Sequence, residues 1–305
     1  MSRKHGPSLQ SLSRADQRPL KHCTRWSAWQ AGRIAASMSS VRPLAAYKRP
    51  RPMQREKAAN VSNAFIDKLS GHAPLSAEDV KLLEAACGRF QDIPARRDLI
   101  REGDKPGPIF VILKGWACRY KMLPEGTRQI TAFLMPGDCC DTHAFLLEQM
   151  EHAIATLTPA RVAIIPRKRM EELLLTRPAL TRAFWWTQLV DEDTLRAWIV
   201  SMGRRSSLQR VAHLMCELYV RARNIGLIDG DRFELPLTQL VLGDALGLTA
   251  VHVNRVLRKL RISGVMELTS GSLIISDISR LANVAGFDDN YLHRRLRRGV
   301  LGARE

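Results

Sequence analysis

Leu237-Thr238-Gln239-Leu240-Val241-Leu242-Gly243-Asp244-Ala245-Leu246-Gly247-Leu248 runs directly into Thr249-Ala250-Val251-His252-Val253-Asn254-Arg255-Val256-Leu257-Arg258-Lys259-Leu260-Arg261. The pattern predicts two helices joined by a tight turn. Thr238 and Thr249 each precede an apolar-periodic run, where a hydroxyl can accept orphan backbone N–H groups. Ala245 is small and Gly247 is free to turn, so the helices can cross closely. In the second helix Val253, Val256, Leu257 and Leu260 recur at i, i+3, i+4 and i+7, which makes one buried stripe.

The opposite face carries Ala250, Val251, Asn254, Arg255 and Arg258, with His252 and Lys259 at its edges. Arg can hold guanine bidentately, Asn can do the same for adenine, and a small apolar side chain can rest on a thymine methyl. The N-terminal half of a recognition helix is where such groups reach base edges. A plainer reading is an amphipathic helical hairpin with a solvated basic face. The next residues of the chain favour DNA. Gly264 ends the helix, and Val265 to Leu268 and Leu273 to Ile275 flank Ser270-Gly271, a hairpin turn signal.

Upstream, residues 61–90 are expected to be helical. Phe65, Ile66 and Leu69 form an apolar patch, and Ser76-Ala77-Glu78-Asp79 is a capped helix start. From Asp92 to Pro166 short strands alternate with Gly, Pro and Asp punctuation. Leu99-Ile100, Ile109 to Leu113, Trp116 to Met122, Gln129 to Leu134 and Ala160 to Pro166 are the strand readings. Strands of this length and spacing suggest a double-sheet jelly roll. A helical run over 171–203 comes next, then Gly203 as a hinge, then a helix from Leu208 to Arg223 with Val211, Leu214, Met215 and Leu218 inward.

The segment Leu237–Ile275 resembles the DNA-binding end of the Crp/Fnr transcription regulators. Glu102-Gly103-Asp104, Lys114-Gly115 and Gly137-Asp138 resemble the cyclic-nucleotide-binding roll of the same family. The resemblance covers roughly residues 61–280. It implies an α+β chain with a β-roll sensor (61–176), a dimerisation helix (177–203) and a winged helix-turn-helix (204–280). Composition adds a disordered basic N-terminal extension (1–60) and a basic C-terminal tail (281–305). On this resemblance Thr249, Val251, His252, Asn254, Arg255, Arg258 and Lys259 are the expected DNA contacts. Arg255 aligns with the family's base-contacting Arg. Val251 stands where many members carry Glu, so the half-site should differ. Trp185, Leu189, Leu195, Ile199 and Met202 would form the dimer seam, interrupted by Asp191-Glu192-Asp193. Alternatively that stripe packs on the roll, with Trp185-Trp186 facing it.

The effector pocket departs from the cyclic-nucleotide binders. Where they carry Gly-Glu and then Arg-Ser to cradle a phosphate, this chain has Cys139-Cys140-Asp141-Thr142-His143-Ala144, and later Glu151-His152-Ala153. His152 replaces the phosphate-pairing Arg, Ala153 replaces the Ser, and Asp141 would repel a phosphate. The expectation is a roll that does not bind cyclic AMP, with Cys139, Cys140, Asp141, Thr142 and His152 as effector-pocket candidates and the effector itself unknown. Vicinal thiols beside imidazoles suit metal or redox chemistry, yet adjacent cysteines point to opposite sides of a strand and buried Cys is commonly a small hydrophobe.

Composition is that of a globular protein, 45% hydrophobic and 25% charged, and the net charge of +17 suggests a polyanionic partner. Residues 1–57 hold thirteen Lys or Arg against two acids, a net +11, so the remainder carries +6. DNA affinity must then come from a local patch. Residues 1–60 fit disorder, a transit peptide, a nucleic-acid-binding tail, or a start site at Met38 or Met53 instead of Met1. The six cysteines show no C-x-x-C spacing, which points to a reducing cytoplasm, and no apolar run reaches membrane-spanning length. No nucleophile elbow, phosphate-binding Gly loop or metal-ligand spacing marks an enzyme. The implied partners are double-stranded DNA carrying an inverted repeat and a second copy of the chain. RNA polymerase contact leaves no signature of its own. The rival class is a β-roll sensor or interaction protein that does not bind DNA specifically.

Overall fold

The computed structural model describes residues 64–293 except 143–145, 230, 231 and 270, all within the compact unit Lys57–Glu305. The expectations for 1–60, for His143 and Ala144, and for 294–305 lie outside the described residues.

Two short helices come first, α1 (Ala64–Ser70) and α2 (Ala77–Ala86). Phe65, Ile66 and Leu69 are buried, and Ser76 with Asp79 forms a reciprocal capping box at α2. The roll is built next, as two antiparallel sheets. One has the order β1 (Phe90–Ile93), β7 (Ala160–Ile165), β3 (Ile109–Lys114). The other has the order β2 (Asp98–Ile100), β6 (Ala153–Thr156), β4 (Ala117–Met122), β5 (Arg128–Leu134). Ile112, Ala117, Leu134, Cys140, Ile154, Ala160 and Val162 fill a cluster between them. Gly115 must be Gly: its φ is +81°, and a Cβ would lie 2.3 Å from the Pro159 carbonyl oxygen.

The helical run is two helices, α3 (Arg167–Thr176) and α4 (Pro178–Arg204), because Pro178 cannot continue a helix but starts one well. Gly203 is inside α4. The expected hinge is instead at Arg205-Ser206, where Ser206 caps α5 (Ser207–Asn224) with Gln209. Trp185 is not packed away against the roll but is 73% exposed, whereas Trp186 is half-buried with its ring against His72 and His293.

The reader domain adds a four-stranded antiparallel sheet in the order β10 (Met266–Thr269), β11 (Ser272–Ile275), β9 (Arg232–Glu234), β8 (Ile228–Asp229). Helices α6 (Gln239–Leu246) and α7 (Ala250–Ile262) stand beside it, bent by 100° relative to each other. Its core merges with that of the roll. Trp116, Phe133 and Phe233 share ring contacts, and Cys118 and Ile130 belong to the same cluster as Val211, Leu242 and Val256.

Residues 281–293, the described part of the expected C-terminal tail, are folded onto the domain. Asp277 caps α8 (Ile278–Ala285), which buries Leu281 and Ala285. A 3-10 turn (Asp289–Leu292) then returns to α4. Leu292 is buried with Val190 and Val220, the Tyr291 hydroxyl donates to Glu217 Oε2 at 3.0 Å, and His293 Nε2 is 2.6 Å from Asp193 Oδ2.

Candidate nucleic-acid interface and sensor pocket

The helix-turn-helix is built as its residues dictate. The Thr238 hydroxyl accepts from the Val241 N–H, and the Thr249 hydroxyl accepts from the His252 N–H. Gly247 ends α6 in the left-handed conformation at φ 63°, and a Cβ on Gly243 would lie 2.4 Å from the Leu248 carbonyl oxygen. Gly243 is therefore what lets the turn fold against α6. Val253, Val256, Leu257 and Leu260 are all buried, each contributing about 1.5–3 kcal/mol through the apolar area it removes from water. That burial holds α7 in place and fixes which side faces outward.

The outward side carries Val251, Asn254, Arg255, Arg258 and Lys259, all exposed. Among the described residues, Asn254, Arg255, Arg258 and Lys259 make no side-chain hydrogen bond or ion pair within the chain. Arg261 lies 3.9 Å from Glu267 on the wing. Thr249 and His252 are placed differently. Thr249 is the cap, and His252 Nε2 is 3.0 Å from the Ser207 hydroxyl at the start of α5. Thr249 closes the first turn of α7 and His252 ties the helix to α5, roles that helical spacing alone does not separate from DNA contact. The N-terminus of α7 adds the positive end of its dipole to the same surface.

The sensor candidates do not converge on one pocket. Cys139 and Cys140 pack into two different clusters, one beside α1 and the other inside the roll. Burial pushes the Cys139 thiol up to about 12 and the Cys140 thiol well above its ordinary range, so neither is a ready thiolate. Asp141 is buried in the left-handed region at φ 49°, where Gly is the usual residue. Its carboxylate accepts from Arg119 Nη2 at 2.8 Å and is 2.8 Å from His152 Nε2. Asp141 and His152 thus come together, joined by Arg119, which no local pattern in the sequence marks. Thr142 lies apart, on an open groove with Leu146, Leu175 and Trp185.

A cavity of about 230 Å³ lies between β5, α1, α4 and α5, and of the five candidates Cys139 alone lines it. Its polar wall includes Lys68, Arg119, Asp138, Asp191 and Arg221. Asp138 accepts from Lys68 Nζ at 2.6 Å and from Arg221 Nη2 at 2.8 Å. Burial pushes the Asp138 carboxyl up, but these two cations more than offset it and leave it below the usual range. Burial raises Asp191, against the pull of Lys68 and Arg119. Arg221 also leans on Glu217, a fully buried carboxylate that accepts from Trp198 Nε1 at 2.9 Å. Among the described residues, no group of three or more His, Cys, Asp or Glu is placed to hold a metal ion.

Two family models match the chain. A Crp-like helix-turn-helix domain covers residues 209–284, and a cyclic nucleotide-binding domain covers residues 90–177. The chain belongs to the Crp/Fnr family. It is a DNA-binding transcription regulator. Among similar proteins, the transcriptional activator protein FnrL of Cereibacter sphaeroides is 25% identical over 205 residues, 66% of this chain and 82% of that protein. The nitrogen fixation regulation protein FixK of Bradyrhizobium diazoefficiens is 29% identical over 204 residues, 65% of this chain and 82% of that protein. The solved structure of FixK2 from Bradyrhizobium japonicum has the same fold, with a TM-score of 0.60 at 22% identity over 66% of this chain and 98% of that one. The family is one of transcription regulators, not of enzymes. In this Crp/Fnr member no single described helix is long and apolar enough to cross a membrane. The bent pair that reaches the required apolarity is α6 and α7, the helix-turn-helix itself.

Proposed function

We propose that the protein is a cytoplasmic homodimer that reads an inverted repeat through paired copies of α7. Asn254 and Arg255 read bases, and Arg258, Lys259 and Arg261 hold phosphates. The observation that carries this reading is the outer face of α7, where Asn254, Arg255, Arg258 and Lys259 are exposed and without side-chain partners among the described residues, while the inner stripe is buried. The dimer is supported by apolar side chains that the single chain leaves in water. Trp185, Leu189, Leu195 and Ile199 are exposed along α4, with Leu146 and Leu175 exposed nearby on the roll side. Their number exceeds what scattered surface hydrophobes account for, and a two-fold partner would cover them. In such a dimer the two reading helices sit about one DNA turn apart. Contact with RNA polymerase is part of the same proposal.

Cyclic AMP is not the effector in this reading. Asp141 already pairs with Arg119 and His152 in the cradle, and its charge opposes a phosphate. The roll instead biases the reader through direct contacts. Arg128 on β5 donates to Asp244 of α6 at 2.8 Å, and Gln129 donates to the Ala245 carbonyl. Selection of bound sites from random duplexes, with the native mass of the complex, tests the proposal. Two-fold symmetric sites bound by two chains support it. Binding without sequence preference favours an interaction module, and micromolar cyclic AMP binding that tightens DNA binding overturns the account of the cradle.

A further inference from the structure

We infer that Val251 reads the methyl group of a thymine and so sets the identity of one base pair in each half-site. The inference rests on α7 being the base-reading helix and goes on to say which base one of its residues selects.

Val251 is 71% exposed in the first turn of α7. It lies outside the buried stripe of Val253, Val256, Leu257 and Leu260, so its isopropyl group does nothing for the fold of the domain. Nor does the helix gain from it, since a β-branched side chain is a poorer helix former than the Lys, Glu or Ala usual at exposed positions. Its neighbours on the face, Asn254 and Arg255, have donors and acceptors for base edges, but Val251 has none. Pressed against the amino group of cytosine or the N7 and O6 of guanine, it would strip water from polar atoms and replace none of their hydrogen bonds. Thymine alone of the four bases presents an apolar group in the major groove.

The spacing limits where that thymine lies. Val251 precedes Asn254 by three residues and Arg255 by four, about 4.5 and 6 Å along the helix at roughly 1.5 Å per residue. One base step is about 3.4 Å. The valine side chain is short, so contact requires the backbone of the first turn to approach the base closely, within about 4 Å of the methyl. The thymine therefore lies within about two base pairs of the base that Arg255 holds.

The test uses the full-length chain and a site recovered by selection from random duplexes. Each thymine of one half-site is replaced by deoxyuridine, which removes the methyl and leaves every hydrogen-bonding group. At one thymine, within two base pairs of the position that loses its preference in Arg255→Ala, affinity should fall about fourfold, the worth of one buried methyl group. Val251→Ala should bind the thymine and deoxyuridine sites with nearly equal affinity, and Val251→Glu should move the selected base from thymine towards cytosine. Equal affinity of the native chain for every deoxyuridine site overturns the inference. So does a Val251→Ala protein that still prefers thymine. Recovery of no specific site at all overturns the underlying reading of α7, and the assignment of Val251 with it.

Discussion

The outer face of α7 and the cradle of the roll contain similar side chains in opposite situations. On α7, Asn254, Arg255, Arg258 and Lys259 stand in solvent with no side-chain partner among the described residues. In the roll, Arg119 and His152 are turned inward onto Asp141, while Lys68 of α1 and Arg221 of α5 reach in onto Asp138. A surface that keeps its donors unpaired is ready for a partner that brings acceptors, here a polyanion. A cradle whose Arg119, Lys68 and Arg221 already face the protein's own carboxylates offers them less freely to an anionic ligand. Arg119 Nε is left as a buried donor that has no hydrogen-bond partner among the described residues. Two domains of one chain thus differ in what their charges face, and that difference separates the reader from the sensor.

The comparison can be broken most forcefully at Asp141. Asp141→Ala would leave the buried Arg119 without its counter-charge and His152 Nε2 without its partner, and should lower unfolding stability by about 3–5 kcal/mol in urea titrations. A loss under about half a kcal/mol would mean that the buried pairing holds nothing together. His213 sharpens the contrast, because this histidine is buried in the reader with no carboxylate bonded to it among the described residues. Burial, aided by nearby Arg205, lowers its pKa to about 4. The unfolded chain takes up this proton below its ordinary value of 6.5, and the native protein resists until about 4. Stability should therefore fall as pH drops across that window, by up to about 3 kcal/mol from this group. Comparing His213→Phe with the native chain at both ends of the window isolates the effect, since the variant lacks it.

Arg255→Ala should cost about 1–3 kcal/mol of specific DNA binding and relax preference at one position, with stability changed by less than about 0.5 kcal/mol. Equal weakening on all sequences would make Arg255 a phosphate contact. The smallest effect is expected for Lys259→Ala, a modest and sequence-independent weakening with the salt dependence reduced by about one counterion.

Much of this architecture was legible because its signals are local. Thr238, Thr249 and Ser76 cap the helices they precede, and the stripe Val253, Val256, Leu257, Leu260 is buried as its period requires. The strand β6 escapes a sequence reading because all four of its residues are buried, leaving no alternation to detect. The two-residue strand β8 is too short to carry a pattern. Helix α8 did leave a signal, with Asp277 before an apolar period and Gly286 after it, and the basic composition beyond obscured it.

The sequence by itself determined the elements, their caps and the two faces of α7, since these depend on residues a few positions apart. Which polar groups meet was decided by tertiary structure alone. Asp138 joins Lys68 across 70 positions and Arg221 across 83, and Tyr291 reaches Glu217 across 74. A charged residue has the same local pattern whether it ends in water or against a buried counter-charge. Only the packing that removes water from around it determines which partner it must find.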